Sequence, residues 1–154
     1  MSLHSLGDVY LKLGRTDEAL KSFREGLEIN QRLSQADPSD SQKQRDISIS
    51  FYRLGDVYLK LGRTDEALKS YQDSLEIDQR LSQADPSDRQ KQRDISISIN
   101  SLGDVYLKLG RTDEALKSYQ DSLEIDQRLS QADPSDRQKQ RLSLIHISEP
   151  TRPY

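Results

Sequence analysis

Apolar side chains recur along most of this chain at intervals of three and four residues, the spacing that gathers them on one face of an α-helix. Two such stripes lie on either side of Gly62. The first comprises Ile47, Phe51, Leu54, Val57, Tyr58 and Leu61, and the second comprises Ala67, Leu68, Tyr71, Leu75 and Leu81. The pattern therefore predicts a pair of amphipathic helices separated by a glycine-containing turn.

One short segment has a different spacing of apolar residues. The sequence Asp-Ile-Ser-Ile-Ser, which begins at Asp46 and again at Asp94, alternates apolar and polar residues as a half-buried strand would. It occupies only five residues inside a longer helical segment and has no turn signal on either side. We therefore expect it to be helical.

The helix pair is repeated. Residues 54–93 recur unchanged at residues 102–141, a period of 48, and a third copy with a few substitutions begins at Leu6. We expect one repeat array over residues 1–141, with units at about 1–37, 38–85 and 86–133 and a partial fourth unit from 134. The repeat breaks at 142–154, and we expect this tail to be partly helical and then loose because of Pro150 and Pro153.

The ends of the helices have their own signals. Asp-Pro pairs at Asp37, Asp85 and Asp133 predict the start of each unit's first helix, with aspartate as the N-cap. Glycine should end that helix at Gly14, Gly62 and Gly110. Threonine should cap the second helix, which we expect to run from Thr16, Thr64 and Thr112 to about Ala36, Ala84 and Ala132.

These residues resemble the tetratricopeptide repeat at the family's fixed spacing. The second unit has a large apolar residue, then Leu-Gly, Tyr, Ala, an aromatic and a small residue at Phe51, Leu54-Gly55, Tyr58, Ala67, Tyr71 and Ser74. The resemblance implies an all-α, right-handed superhelical solenoid of antiparallel helix pairs. Mid-helix Gly7, Gly55 and Gly103 are then expected where the paired helix approaches closely, with Ala67 as the small residue opposite Gly55.

The unit is longer than the family's usual one of about 34 residues, which predicts lengthened helices. Long units of this kind are similar to those of kinesin light chains and of bacterial signalling proteins, where they bind partner proteins. The tail after Arg141, LSLIHISEPTRPY, looks like a translated sequencing adapter.

Composition narrows the range of functions. Charged residues make up 32% of the chain, and the two signs nearly cancel to a net charge of −3. No basic cluster is present to follow a phosphate backbone, so a nucleic-acid partner is not expected. No apolar run approaches the roughly 20 residues that span a bilayer, and Met1 is not followed by a secretory-signal pattern, so we expect no membrane partner and a cytoplasmic setting.

Catalytic chemistry is not indicated. The chain has no cysteine, and its two histidines, His4 and His146, lie at opposite ends of the array. No serine has a histidine in register, and the glycines are isolated from one another, so neither a catalytic triad nor a phosphate loop is formed. We expect no enzyme activity, no metal and no cofactor.

The resemblance implies that a protein or peptide ligand binds the concave face of the first helices. The matching positions form four sets across the units, namely His4, Tyr52 and Asn100, then Asp8, Asp56 and Asp104, then Leu11, Leu59 and Leu107, then Lys12, Lys60 and Lys108. Aspartate stands where chaperone-binding relatives have asparagine, which disfavours an acidic peptide tail. Asp56 and Lys60 form either an ordinary i,i+4 helix pair or part of a mixed-charge groove for a peptide with basic residues.

The favoured function is a protein-interaction scaffold, and two alternatives remain open. Nearly identical units make one molecule's end complementary to another's, which would allow self-association as a structural module. The second alternative is that the chain is a sensor or regulatory segment of a larger signalling protein.

Overall fold

The computed structural model describes residues 2–132, which form six α-helices and no strand. They are α1 (Leu3–Lys12), α2 (Thr16–Ala36), α3 (Ser41–Lys60), α4 (Thr64–Ala84), α5 (Arg89–Lys108) and α6 (Thr112–Ala132). Each helix packs against the next one in the chain, so the molecule is an all-α solenoid of helical hairpins. The expected partial fourth unit, the cap at Asp133 and the tail at 142–154 lie outside the described residues.

One apolar core runs through the stack. Its buried members come from α2, α3, α4 and α5: Ala19, Leu20, Phe23, Leu54, Val57, Tyr58, Ala67, Tyr71, Leu102 and Val105. Because each hairpin buries its stripe against its neighbours, the stability of each hairpin depends on the one beside it. None of the helices within residues 2–132 is both long enough and apolar enough to cross a membrane.

Glycine ends the first helix of each hairpin, as the sequence predicts. Gly62 has a φ of 73°, in the left-handed region that side chains with a Cβ avoid. The amide of Arg63 donates to the carbonyl of Tyr58 at 2.8 Å, and the amide of Gly62 donates to the carbonyl of Leu59 at 3.0 Å. These two bonds form a Schellman motif, which satisfies the last carbonyls of α3 and turns the chain into α4.

The helix starts differ from the prediction. The carboxylate of Asp40, and not that of Asp37, accepts hydrogen bonds from the first amides of α3, those of Gln42 at 2.9 Å and Lys43 at 3.2 Å. Asp88 caps α5 in the same way. Both aspartates on either side of the Pro-Ser pair could cap a helix, but only Asp40 has the extended backbone, with ψ of 103°, that aims its side chain at those amides.

The expected threonine caps are also wrong. Thr16 and Thr64 are the first residues of α2 and α4, and the N-cap positions are held by Arg15 and Arg63, which make no side-chain capping bond. Arg63 instead donates to Glu66 at 2.6 Å and lies over the Tyr58 ring, 4.9 Å from its centroid. The arginine therefore links the end of one helix to the start of the next.

The mid-helix glycines mark a close approach, but an aromatic ring and not Ala67 is the opposing group. A Cβ added at Gly55 would lie 2.6 Å from Cε1 of Tyr71. Phe23 and Tyr119 occupy the same place beside Gly7 and Gly103. Only glycine leaves room for these rings, which explains a residue that otherwise weakens a helix interior by about 1 kcal/mol.

Candidate partner-binding face

Side chains from the first helices of successive hairpins contact one another directly. The Asp8 carboxylate on α1 lies 3.7 Å from the guanidinium of Arg53 on α3. Tyr52 Oη on α3 lies 2.7 Å from Ser101 Oγ on α5, and Arg45 on α3 pairs with Asp94 on α5 at 3.5 Å. The exposed sides of α1, α3 and α5 therefore form one continuous surface, which we call the first-helix face.

Several of the predicted site residues are engaged within the protein. His4 Nε2 lies 2.9 Å from Ser50 Oγ, and burial together with the nearby charge of Arg53 lowers the pKa of its imidazole. Burial raises the pKa of the Tyr52 hydroxyl, and the Tyr52 ring packs 5.2 Å from the ring of Tyr71. These contacts fix His4 and Tyr52 in place on the first-helix face.

The aspartate row has a structural partner that the sequence analysis missed. Tyr71 Oη donates to Asp56 Oδ1 at 2.5 Å, and Tyr119 Oη donates to Asp104. Burial raises the pKa of Asp56 although this hydrogen bond opposes the rise, and the hydrogen bond to Asp104 raises the pKa of Tyr119 to about 12. Asp56 is thus bonded across the hairpin to Tyr71, and Lys60 acts on it only through its charge.

The equivalent aspartate of the first hairpin, Asp8, has a different partner. Phe23 stands where Tyr71 and Tyr119 stand and has no hydroxyl to donate. Asp8 therefore lacks the tyrosine bond and pairs with Arg53 of the following hairpin.

The remaining predicted residues are exposed to solvent to different degrees. Asn100 and the lysine row are exposed on the first-helix face, the lysines being Lys12, Lys60 and Lys108. Leu107 is 51% exposed, whereas Leu59 packs against the core. The structure thus places the whole predicted set along α1, α3 and α5 but leaves only part of it free to meet a ligand.

Two adjoining cavities open beside α5, one between α3 and α5 and the other between α5 and α6, and the sequence analysis did not anticipate them. One, of about 280 Å³, is lined by Arg45, Ile49 and Arg53 of α3 and by Asp78 of α4. The other, of about 600 Å³, is lined by Asn100 and Ser101 of α5 and by residues of α6. Tyr52 and Ile97 line both cavities, so the two form one groove, which begins between α3 and α5 and continues between α5 and α6.

The first cavity of the groove is mainly apolar, and the second is mainly polar. Ile97 is 52% exposed although it is an isoleucine in the middle of a helix. Arg45 and Arg53 flank the first cavity, and Asp78 forms its floor. Such a surface can bind an apolar side chain of a partner while its charged ends contact polar groups. The only sequence signal for it was the Ile-Ser alternation, because residues two apart lie on nearly opposite sides of a helix, which buries Ile95 and exposes Ile97.

No group of three or more His, Asp or Glu side chains within residues 2–132 is arranged to hold a metal ion.

Sequence models described as "Tetratricopeptide repeat" match more than half of the chain. One covers residues 48–81, and a second covers residues 1–33 and 98–129. No curated protein matches the sequence.

Solved structures with a similar backbone arrangement include two crystal structures of MamA. They are 22% and 21% identical with TM-scores of 0.44 and 0.43, and the matches cover 84% of this chain and 79% and 74% of theirs. The crystal structure of BtubC (BKLC) from P. vanneervenii is 16% identical with a TM-score of 0.40, over 80% of this chain and 61% of that one.

Proposed function

This chain belongs to the tetratricopeptide repeat family, and from that premise we propose that it binds a peptide or a partner protein in the groove between α3 and α5. The family's repeats form protein-interaction scaffolds and have no catalytic role of their own. The proposed ligand contacts are Tyr52, Ile97 and Asn100, with the lysine row on the same concave face.

The observation that carries this proposal is where the second and third units differ. They differ at Ser41 against Arg89 and at three consecutive positions, Phe51-Tyr52-Arg53 against Ile99-Asn100-Ser101. Tyr52 and Arg53 line the first cavity, and Asn100 and Ser101 line the second. Variation in the lining of a groove is what ligand specificity requires, and the triplet places two such differences there.

The groove favours a ligand with one large apolar side chain. Ile97 and Tyr52 supply the apolar contact that would anchor it. Around this anchor lie Asp94 and Arg45, which are paired with each other. A peptide carrying both acidic and basic residues beside its apolar anchor fits this mixed-charge rim.

The test is selection of peptides from a random display library against the purified chain, followed by titration of the best peptide. Ile97→Asp places a charge in the middle of the groove and is expected to weaken binding at least tenfold. Leu116→Asp makes the same kind of change at an exposed leucine of α6, outside the groove, and should leave binding unchanged. Equal affinity for both variants, or failure to select any peptide, would contradict the proposal.

A second candidate, self-association, is favoured by the exposed apolar face of α6. Leu116 and Leu123 are 56% and 57% exposed, whereas the equivalent of Leu116 in α2, Leu20, is 8% exposed. The sequence of α6 is identical to that of α4, on which α5 packs. The first helix of a second copy, which shares the sequence LGDVYLK with α5, would fit there. Light scattering over a concentration series tests this, and a constant monomer mass would rule it out.

A further inference from the structure

The two outer helices of the described stack, α1 and α6, carry the two halves of an interface that lies inside it. At the junction between the second and third hairpins, α5 packs on α4. The sequence of α6 is identical to that of α4, and residues 5–12 of α1 are identical to residues 101–108 of α5. A second copy of the chain therefore carries a matching partner for each of these two helices.

Apolar side chains on both outer helices are exposed where their counterparts inside the stack are covered. Val9 on α1 is 43% exposed, whereas its counterpart on α5, Val105, is fully buried. Leu116 on α6 is exposed, whereas its counterpart on α4, Leu68, packs against the core. Both outer helices already pack within their own hairpins, so the contact that they lack is the one to a neighbouring hairpin. The hydrophobic effect favours covering both surfaces together.

One hydrogen bond recurs at both junctions between hairpins. At the first junction, Asn30 Nδ2 on α2 donates to Ser50 Oγ on α3 at 3.2 Å. At the second, Ser98 Oγ on α5 donates to Asp78 Oδ2 on α4 at 3.2 Å. Donor and acceptor exchange roles, but the two positions are the same ones, moved by 48 residues. This contact marks the register of one hairpin on the next.

The next pair in this series is formed by Asp126 on α6 and Ser2 of a second copy. Asp126 is equivalent to Asp78, but it is exposed. Its Oδ1 accepts from Ser96 Oγ at 2.6 Å, as Oδ1 of Asp78 accepts from the equivalent serine, and its Oδ2 corresponds to the oxygen that accepts from Ser98. Ser2, directly before α1, is equivalent to Ser98 and is exposed as well.

The second cavity of the groove is an open version of the first. Most of the residues that line it occupy the positions of first-cavity residues moved by 48, for example Ser122 and Asp126. The first cavity has a further wall on α5, formed by Asp94, Ile97 and Ser98. Within residues 2–132, no helix follows α6 to provide the second cavity with such a wall. A hairpin stacked on α6 would begin to supply it.

The chain's own residues beyond Ala132 do not carry the sequence that matches α6. Residues 133–141 repeat residues 85–93, but Pro150 and Pro153 then stand at the positions of Leu102 and Val105. Proline has no amide proton and is unfavourable inside a helix, whereas α1 carries the helical sequence LGDVYLK. The first helix of a second copy is therefore the partner that fits.

We propose that copies of this chain stack head to tail, with α1 of one copy packed on α6 of another and Ser2 bonded to Asp126, so that the solenoid continues from molecule to molecule. The two surfaces are different, so every added copy leaves one of each kind free, and the assembly grows beyond a dimer. This inference rests on the self-association named above as the second candidate function, and it specifies the surfaces, their polarity and their register.

The test places one charge on each surface. Val9→Asp blocks α1 and Leu116→Asp blocks α6, and both variants should fold because both side chains are exposed in the monomer, which circular dichroism checks. By light scattering, the mass of the wild type is expected to rise with concentration, while each variant alone stays a monomer. An equimolar mixture of the two variants should reach twice the monomer mass and stop there, since each supplies the surface that the other lacks. The double variant is the matched control and should pair with neither.

The outcomes separate this arrangement from others. A wild type that stays monomeric at every concentration would overturn both self-association and the head-to-tail order. If the wild type grows but Val9→Asp still dimerises alone, α6 packs on α6, and only the head-to-tail order is wrong. Two monomeric variants that do not pair when mixed would also contradict it. None of these results bears on ligand binding in the groove, which peptide titration measures separately.

A cross-link tests the register without an added charge. The chain has no cysteine, so Ser2→Cys and Asp126→Cys each introduce a single thiol. A short bifunctional maleimide is expected to join these two variants when they are mixed and to join neither variant to itself. Ser87→Cys, in the exposed turn before α5, is the control and should not be joined to Asp126→Cys. Equal cross-linking of Ser2→Cys and of the control would show that the proposed register is wrong.

Discussion

The glycine of the Leu-Gly pair shows how one missing Cβ sets the distance between two helices. Gly55 lies in the middle of α3, and the Tyr71 ring of α4 fills the space where a side chain would begin. The ring then reaches across to Asp56, the residue next to Gly55, and donates its hydroxyl proton. Gly55, Tyr71 and Asp56 therefore act as one packing unit within the hairpin.

Gly55→Ala should destabilise the protein by about 2 kcal/mol, because the added methyl group would overlap a ring that is 1% exposed and cannot move aside. Gly26→Ala is the matched control, since a Cβ there would meet Leu3 Cβ at 3.5 Å and His4 Nε2 at 4.0 Å, both ordinary contacts. That control should be neutral or stabilising by up to about 1 kcal/mol. Urea unfolding of both variants measures the difference, and a stabilising Gly55→Ala would show that the close approach does not constrain the fold.

At the scale of the helices, the sequence was informative about where they end and less so about where they begin. A glycine that must adopt positive φ leaves little choice, so the end at Gly62 could be predicted from composition and spacing alone. Two aspartates three residues apart, Asp37 and Asp40, both offer a capping carboxylate. The choice between them depends on the backbone of the Pro-Ser turn, which local sequence preferences do not determine.

The identity of the α3 N-cap can be tested by substitution. Asp40→Ala should lower the free energy of unfolding by about 1 kcal/mol, since it removes the acceptor of two α3 amides. Asp37→Ala removes a bond from Ser39 Oγ and a 3.9 Å ion pair with Lys43, both in the exposed turn, and should cost less than half as much. Thermal or urea unfolding of the two variants decides between the caps, and a larger loss for Asp37→Ala would restore the cap predicted from sequence.

The candidate site could be predicted only in part, because it depends on contacts between helices. Helical spacing places His4, Asp8 and Lys12 on one face, and the structure confirms that they share α1. Neighbours from other helices decide which of these side chains already have a hydrogen bond or an ion pair. Examples are Ser50 beside His4 and Arg53 beside Asp8. The cavities were missed because residues of three helices from two hairpins line them, and no single helix contains their pattern.

For the whole molecule, the near identity of the units makes the few differences between them informative. The stack needs only the repeated core, and two of the differences between units lie at a junction or in the groove. Asn30 in place of aspartate marks a junction, and the triplet at Tyr52 and its counterpart at Asn100 marks the groove. An array built in this way combines a uniform framework with local sites that distinguish one unit from another.

The central claim is that a ligand binds between α3 and α5, and isoleucine methyl NMR tests it most directly. The side chains of Ile49 and Ile97 line the groove, whereas Ile29 is 41% exposed on α2, away from it. Adding a display-selected peptide to the methyl-labelled wild type is expected to shift the Ile49 and Ile97 signals and leave that of Ile29 in place. Shifts at Ile29 with Ile49 and Ile97 unchanged would show that the partner binds elsewhere and would contradict the account.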